Sequence, residues 1–245
     1  MDEAIEFWAR LVEKNQIDED GTTDFLCFFD GIWHDGAGNQ IDIPENDELK
    51  IVQTISRMES MNYSSVPSLI MMDDVETLED ISDYLECEME DMFLFFRKPD
   101  SMISEFSSPS SKNQQLQGGL YLLASLQKED GLGITWSEIA DICGEIKNIG
   151  VFSRLLSFYF DWIKNHGVKI AACSCREATS DRFFKSRLFL KKFDENGYAL
   201  MDGITSSENN DGERFNTNIL VDKEWFDKLD SRDRSRLVNT ITDLL

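Results

Sequence analysis

The stretch from Gly131 to Gly203 constrains the chain more than any other, because its local signals change character several times within a short span. It reads GLGITWSEIADICGEIKNIGVFSRLLSFYFDWIKNHGVKIAACSCREATSDRFFKSRLFLKKFDENGYALMDG. Just before it, Leu116, Leu120, Leu123 and Leu126 recur at helical spacing, which predicts a first helix over Leu116–Gln127. Thr135 and Glu138 have the spacing of a capping box, which predicts a second helix through ITWSEIADICG with Gly144 as its stop. A third helix is expected over Ile149–His166, ending at Gly167. VKIAACSC and FFKSRLFLKKF then read as a strand pair around REATSD, and YALMD as a further strand after the Asn196-Gly197 turn.

Helix, turn, helix, long helix and a basic strand pair is an order that resembles a winged-helix domain over roughly residues 115–203. The resemblance implies either a DNA reader or a protein docking module. The third helix argues for docking. It carries Phe152, Leu155, Leu156, Phe158, Tyr159, Phe160, Trp162 and Ile163 with only Arg154 and Lys164 as cations, whereas base-reading helices present polar and basic side chains. That apolar circumference exceeds what one core uses, so Phe152, Phe158, Tyr159 and Trp162 are expected at a protein interface. The expected wing gathers Arg176, Arg182, Lys185, Arg187, Lys191 and Lys192 against Glu177 and Asp181, with Phe183 and Phe184 beside them. Such a hairpin suits a phosphate backbone, an acidic partner or the protein's own acidic half.

Charge divides the chain as sharply as pattern does. Residues 1–110 hold 27 acidic against 6 basic side chains, and residues 111–245 hold 20 against 18. A surface that acidic repels nucleic acid and anionic lipid and attracts basic protein. The densest acids fall on an expected helix from Asp73 to Arg97. There Asp73 and Glu76 suggest a capping box, and Val75, Leu78, Ile81, Leu85, Met89, Met92 and Phe96 form an apolar stripe. Glu79, Asp83, Glu86 and Glu90 on its other side are candidates to meet a basic partner by imitating phosphates. The Ser- and Pro-rich residues 101–114 sit where the charge balance changes. The chain therefore divides into an acidic mixed α/β unit (1–100), a linker or loop, and a winged-helix-like unit with closing helices (115–245).

Other signals in the acidic half are weaker. Residues 2–15 have helical periodicity. FLCFF (25–29) and QIDI (40–43) read as strands, and Glu48 to Met61 as a helix. Asp18, Asp20, Gly21 and Asp24 have part of a calcium-loop spacing, but Cys27 stands where the closing bidentate Glu is required. Asp30, His34, Asp35 and Asp42 could only form a metal site if loops brought them together. Cys173 and Cys175, even with His166 and Cys143, lack paired Cys-x-x-Cys knuckles, and strand alternation puts the two thiols on one face. Beyond residue 202 the chain reads as a polar loop, then NILVD as a short edge strand, then one or two closing helices over 223–245.

No phosphate-binding Gly loop, nucleophile elbow or His-Glu-x-x-His is present, and no cofactor or metal is expected. Five cysteines at irregular spacing fit a reducing compartment, and no apolar run is long enough to span a bilayer, so a cytoplasmic protein is expected. The combined expectation is an α+β, predominantly helical chain. It would act as a non-catalytic adaptor or accessory subunit with a protein partner, with a winged-helix DNA-binding regulator and an acidic, nucleic-acid-mimicking inhibitor as alternatives.

Overall fold

A computed structural model of the chain describes residues 25–62, 75–97, 120–144, 149–176, 184–185, 187–201, 206–208 and 214–244. The chain forms two compact units, Met1–Leu123 with Asp141–Phe152, and Ala124–Ala140 with Ser153–Leu245. The expected helix over 2–15, the partial calcium loop and the 101–114 linker lie outside the described residues.

In the first unit, β1 (Phe25–Phe29) turns through Asp30 and Gly31 into β2 (Ile32–Asp35). Both turn residues have positive φ, 55° and 72°, as a two-residue hairpin that matches strand twist requires. The Asp35 carboxylate closes the next turn, accepting from the Ala37 and Asn39 N–H groups at 2.9 and 2.8 Å, before β3 (Gln40–Ile41). Helix α1 (Glu45–Asn62) buries Ile51, Val52 and Ile55. A short α2 (Leu78–Tyr84), a 3-10 turn (Met89–Asp91) and β4 (Met92–Arg97) follow. Strands run in the order β3-β2-β1-β4-β5, with β5 at Leu120–Glu129. β1 and β4 are antiparallel, pairing Leu26 with Phe96 and Cys27 with Phe95, all four buried.

The long acidic helix expected over Asp73–Arg97 is therefore absent from the described part of that segment. Thr77, not Asp73, caps α2. Its hydroxyl accepts from the Asp80 N–H at 3.1 Å, and the Asp80 carboxylate accepts from the Thr77 N–H at 2.8 Å. The Thr77 hydroxyl and the Glu76 and Thr77 N–H groups hold the Asp80 carboxyl below its ordinary range. After Leu85 the chain enters the left-handed region at Glu86 (φ 51°), which ends the helix. Met92 and Phe96 match a helical stripe only because MFLFF is a strand buried on both faces, which shows no alternation, and Met89 lies in the 3-10 turn before it.

In the second unit, β5 returns through a turn, closed by a Gly133 N–H to Glu129 carbonyl bond of 2.8 Å, into β6 (Ile134–Gly144). Helix α3 (Ile149–Asn165) crosses over to β7 (Ile170–Arg176). Then come α4 (Arg187–Glu195), β8 (Tyr198–Leu200), β9 (Ser206–Glu208), β10 (Arg214–Asp222), α5 (Lys223–Asp227) and α6 (Ser231–Leu244). The strand order is β5-β6-β7-β10-β8, with β9 also on β10. β6 and β7 are parallel, while β10 is antiparallel to β7 and β8. On one face Trp136, Ile170, Ala172, Ile219 and Val221 pack with Leu237 and Ile241 of α6. On the other face, Tyr159 of α3 donates its buried hydroxyl to Ser137 of β6 at 2.9 Å.

The winged helix is thus overturned. Its first two helices are β5 and β6, a hairpin of long strands. Tyr121 to Leu126 are all buried, so the strand lacks alternation and its leucines only imitate a helical stripe. The basic wing is not a hairpin, since its second arm is the amphipathic α4, burying Phe189 and Phe193. Asn196-Gly197 stops that helix, with Gly197 at φ 82°, instead of joining two strands. NILVD belongs to a nine-residue strand with neighbours on both sides, not to a short edge. The third helix does form, and Tyr159, Phe160 and Trp162 are buried, while Phe158 is half-buried. The Phe160 ring lies 5.1 Å from that of Tyr198 and 5.9 Å from that of Phe193.

Candidate functional site

The most informative place in the second unit is where β6 and β7 part. Their parallel register covers three pairs, Trp136–Ile170, Ser137–Ala171 and Glu138–Ala172. β7 continues to Arg176, held from its other edge by β10 as far as Phe215. The Asp222 N–H bonds the Lys169 carbonyl at 2.9 Å, which sets the direction of every later backbone group on β7. Groups alternate sides along a strand, so Ala171, Cys173 and Cys175 spend theirs on β10, and Ile170, Ala172 and Ser174 point theirs toward β6. Among the described residues the β6 register ends at Ala172, and no other strand takes up the N–H and C=O of Ser174.

Side chains change at the same level. Antiparallel partners share a face. On the α3 face the rung Ala171–Leu220 is apolar, and the next two are Cys173–Asn218 and Cys175–Asn216. On the α6 face Ala172–Ile219 is followed by Ser174–Thr217. Asn218 is buried and directs its amide Nδ2 to the Cys175 Sγ at 3.3 Å and to the Asn216 carbonyl at 3.2 Å. Burying such groups costs free energy unless they are bonded. Burial also pushes the Tyr159 hydroxyl well above its ordinary pKa, against the opposing bond to Ser137, so Tyr159 stays neutral.

The first unit has polar groups of its own. The Tyr121 hydroxyl donates to Asp141 Oδ2 at 2.6 Å, both buried. The His34 ring stacks on Phe29 at 3.9 Å. Desolvation lowers the His34 pKa against the opposing Ile32 backbone bond and the Asp30 and Asp35 charges. The thiols there are poor nucleophiles, since burial raises Cys27 well above its ordinary value and pushes Cys87 up to about 12. Among the described residues, no three His, Cys, Asp or Glu side chains converge to hold a metal.

The residues singled out in the sequence are scattered. Arg176 ends β7 and Lys185 is exposed in a turn. Arg187, Lys191 and Lys192 lie on α4, where Lys191 and Lys192 pair with Glu195 at 3.5 and 3.0 Å, and Arg182 lies outside the described residues. Phe152 lies in the first turn of α3, Phe158 is half-buried, and Tyr159 and Trp162 are buried. Glu79 and Asp83 are exposed on α2, but Glu86 follows it and Glu90 sits in the 3-10 turn, so no single helix presents all four. Ser174, Asn216 and Asn218 were not singled out. The available signal was Asn-x-Asn in a strand whose partner carries Cys-x-Cys.

No protein-family model and no curated protein matches the chain. Several solved structures resemble its fold at low identity. One is the NatC complex bound to Gag peptide and CoA, 9% identical, with a TM-score of 0.44 and coverage of 74% of this chain and 96% of that one. Another is FeeM, an N-acyl amino acid synthase from uncultured soil microbes (11%, TM-score 0.42, 77% and 93%). A third is an acetyltransferase of the GNAT family from Streptococcus pneumoniae (9%, TM-score 0.42, 74% and 95%).

The expected non-catalytic adaptor, DNA-binding regulator and nucleic-acid mimic are corrected accordingly. They rested on a winged helix, a spare apolar helix face and a long acidic helix, and the fold has none of these among its described residues. No helix of the described residues is long and apolar enough to cross a membrane.

Proposed function

We propose that this chain is an acyltransferase that binds a thioester carrier, of the coenzyme A type, along the edge of β7. The reaction class is the one named for the structures above, which are too distant to argue from. What supports it here is the end of the β6–β7 ladder, which leaves the Ser174 main chain with a donor and an acceptor to offer. An extended arm of secondary amides satisfies both, as an added strand does. Open sheets with crossover helices bind ligands at the carboxyl ends of their strands, and Ser174 lies in the carboxyl-terminal half of β7. The carrier would supply the activated acyl group, and Ser174 would hold and orient its amide arm.

The test is calorimetric titration with coenzyme A and acetyl-coenzyme A, together with a thiol-release assay on primary amines. Saturable binding and amine-dependent thiol release support the reading. A folded protein that binds neither ligand at millimolar concentration overturns it. A cytoplasmic setting belongs to the same proposal, supported by the free thiols of Cys27, Cys87, Cys173 and Cys175.

A further inference from the structure

Cys27, Cys87, Cys173 and Cys175 all carry free thiols, but they are not alike. Cys27 is sealed in the β1–β4 pair, opposite Phe95. Cys87 is half-buried, and burial with the Asp91 and Glu88 charges pushes it up to about 12. Cys173 and Cys175 differ because they come as a pair. They stand two residues apart on β7, so strand alternation puts both on the α3 face. Cys173 is buried and Cys175 half-buried, so one thiol closes the pair from inside while the other leaves a way in.

Two residues along a strand span roughly 6.7 Å. Side chains that lean toward one another can bring their sulfurs to about 4.5 Å, twice a metal–sulfur bond, which is the separation a two-coordinate ion requires. The Cys175 sulfur also has an outer partner. Asn218, directly across from Cys173, donates its amide Nδ2 to the Cys175 Sγ at 3.3 Å. A hydrogen bond onto the ligating atom is what holds and tunes a metal ligand, and on a thiolate it spreads the negative charge.

The rest of the set decides which ion fits. The residues across from the two thiols are Asn218 and Asn216, and among the described residues no three His, Cys, Asp or Glu side chains converge. Zinc, which takes four ligands, and the oxygen-seeking ions are therefore poorly served. Two soft thiolates without a hard ligand beside them select a soft ion content with two bonds, which is the chemistry of Cu(I).

We propose that Cys173 and Cys175 bind one Cu(I) ion as a two-thiolate site on the α3 face of β7. Two sulfur–copper bonds form, both thiol protons leave to solvent, and the oxidation state of copper does not change. The site then carries one net negative charge, toward which the Asn218 amide points its N–H. The open main chain of Ser174 lies in the plane of the sheet, so the copper site does not depend on the acyltransferase reading.

The experiment titrates the full chain with Cu(I) under anaerobic conditions, in competition with bathocuproine disulfonate, and repeats it with Ag(I), which has the same bonding preference. Wild type should hold one ion per chain, with X-ray absorption showing two sulfur neighbours. Cys175→Ser, at a half-buried position, should weaken binding by more than the roughly 100-fold that loss of an outer partner can cost, and Asn218→Ala by about tenfold. Cys173→Ser should match Cys175→Ser, and thermal melting checks that each variant is folded. Cys87→Ser should bind as wild type does. Folded wild type that yields all its Cu(I) to the competitor overturns the proposal. So does unchanged binding in folded Cys175→Ser, equal loss in Cys87→Ser, or a shell of three or more sulfurs.

Discussion

β1–β4 in the first unit and β7–β10 in the second are both antiparallel pairs with well-buried residues, yet they differ in what they bury. The first is apolar at nearly every rung, with Leu26 against Phe96, Cys27 against Phe95 and Phe28 against Leu94. The second is apolar only as far as Ala172 and then carries Asn, Ser, Thr and Cys. The difference separates two jobs for a buried strand. A pair that only holds a core gains from every apolar rung. A pair that turns polar while Asn216 and Asn218 stay buried accepts a cost in stability, and the β6 ladder ends at the same rungs.

If that contrast is right, the two pairs should respond differently to substitution. Phe95→Ala in the uniform pair should cost about 3–5 kcal/mol, read as a fall in denaturation midpoint, because a fully buried ring leaves a cavity. A cost below about 1 kcal/mol would mean that the first pair is not the tight core described. Tyr159→Phe should cost less, about 1–2 kcal/mol, since it removes one buried hydroxyl and leaves Ser137 without that donor. An unchanged midpoint would show that the bond is not formed in solution.

The smallest effect is expected where β7 begins. Burial pushes the Asp222 carboxyl up, but the Lys169 ammonium 2.8 Å away and the Trp225 N–H outweigh it and hold the carboxyl below its ordinary range. A depressed folded-state pKa gives stability that is present above the unfolded carboxyl pKa and lost as pH falls through the folded value. Both side chains are partly exposed, so Lys169→Met should cost under about 1 kcal/mol at neutral pH. The cost should shrink further as the solution is acidified. A cost that grows on acidification would contradict this assignment.

The local elements were legible where one residue type dictated them. FLCFF reads as a strand, and the periodicity over Glu48–Met61 falls within α1. The strand IWHD between FLCFF and QIDI carries no such signal, because only Ile32 and Trp33 in it are apolar. Failure was concentrated in strands buried on both faces. In β4, and over Tyr121–Leu126 of β5, no alternation survives, so Met92 and Phe96, or Leu120 and Leu123, match a helical template by accident, whereas in β6 buried Ser137, Ile139 and Asp141 do alternate with half-buried Glu138 and Ala140. Those misreadings made a winged helix out of a hairpin and a crossover. The site was harder still. Ser174 is distinguished only by the rung at which its neighbour leaves, and register is a property of the folded sheet that no spacing along the chain encodes.

The measurement that bears most directly on this account is titration of acetyl-coenzyme A into wild type and Ser174→Pro. Proline removes an N–H that no described strand takes up and is tolerated at such an edge, so the variant should melt within a few degrees of wild type. Its affinity for the carrier should fall by roughly tenfold or more, because the lost donor and the ring both face the ligand edge. Equal affinity in the two proteins, with the variant folded, would contradict the placement of the carrier on β7.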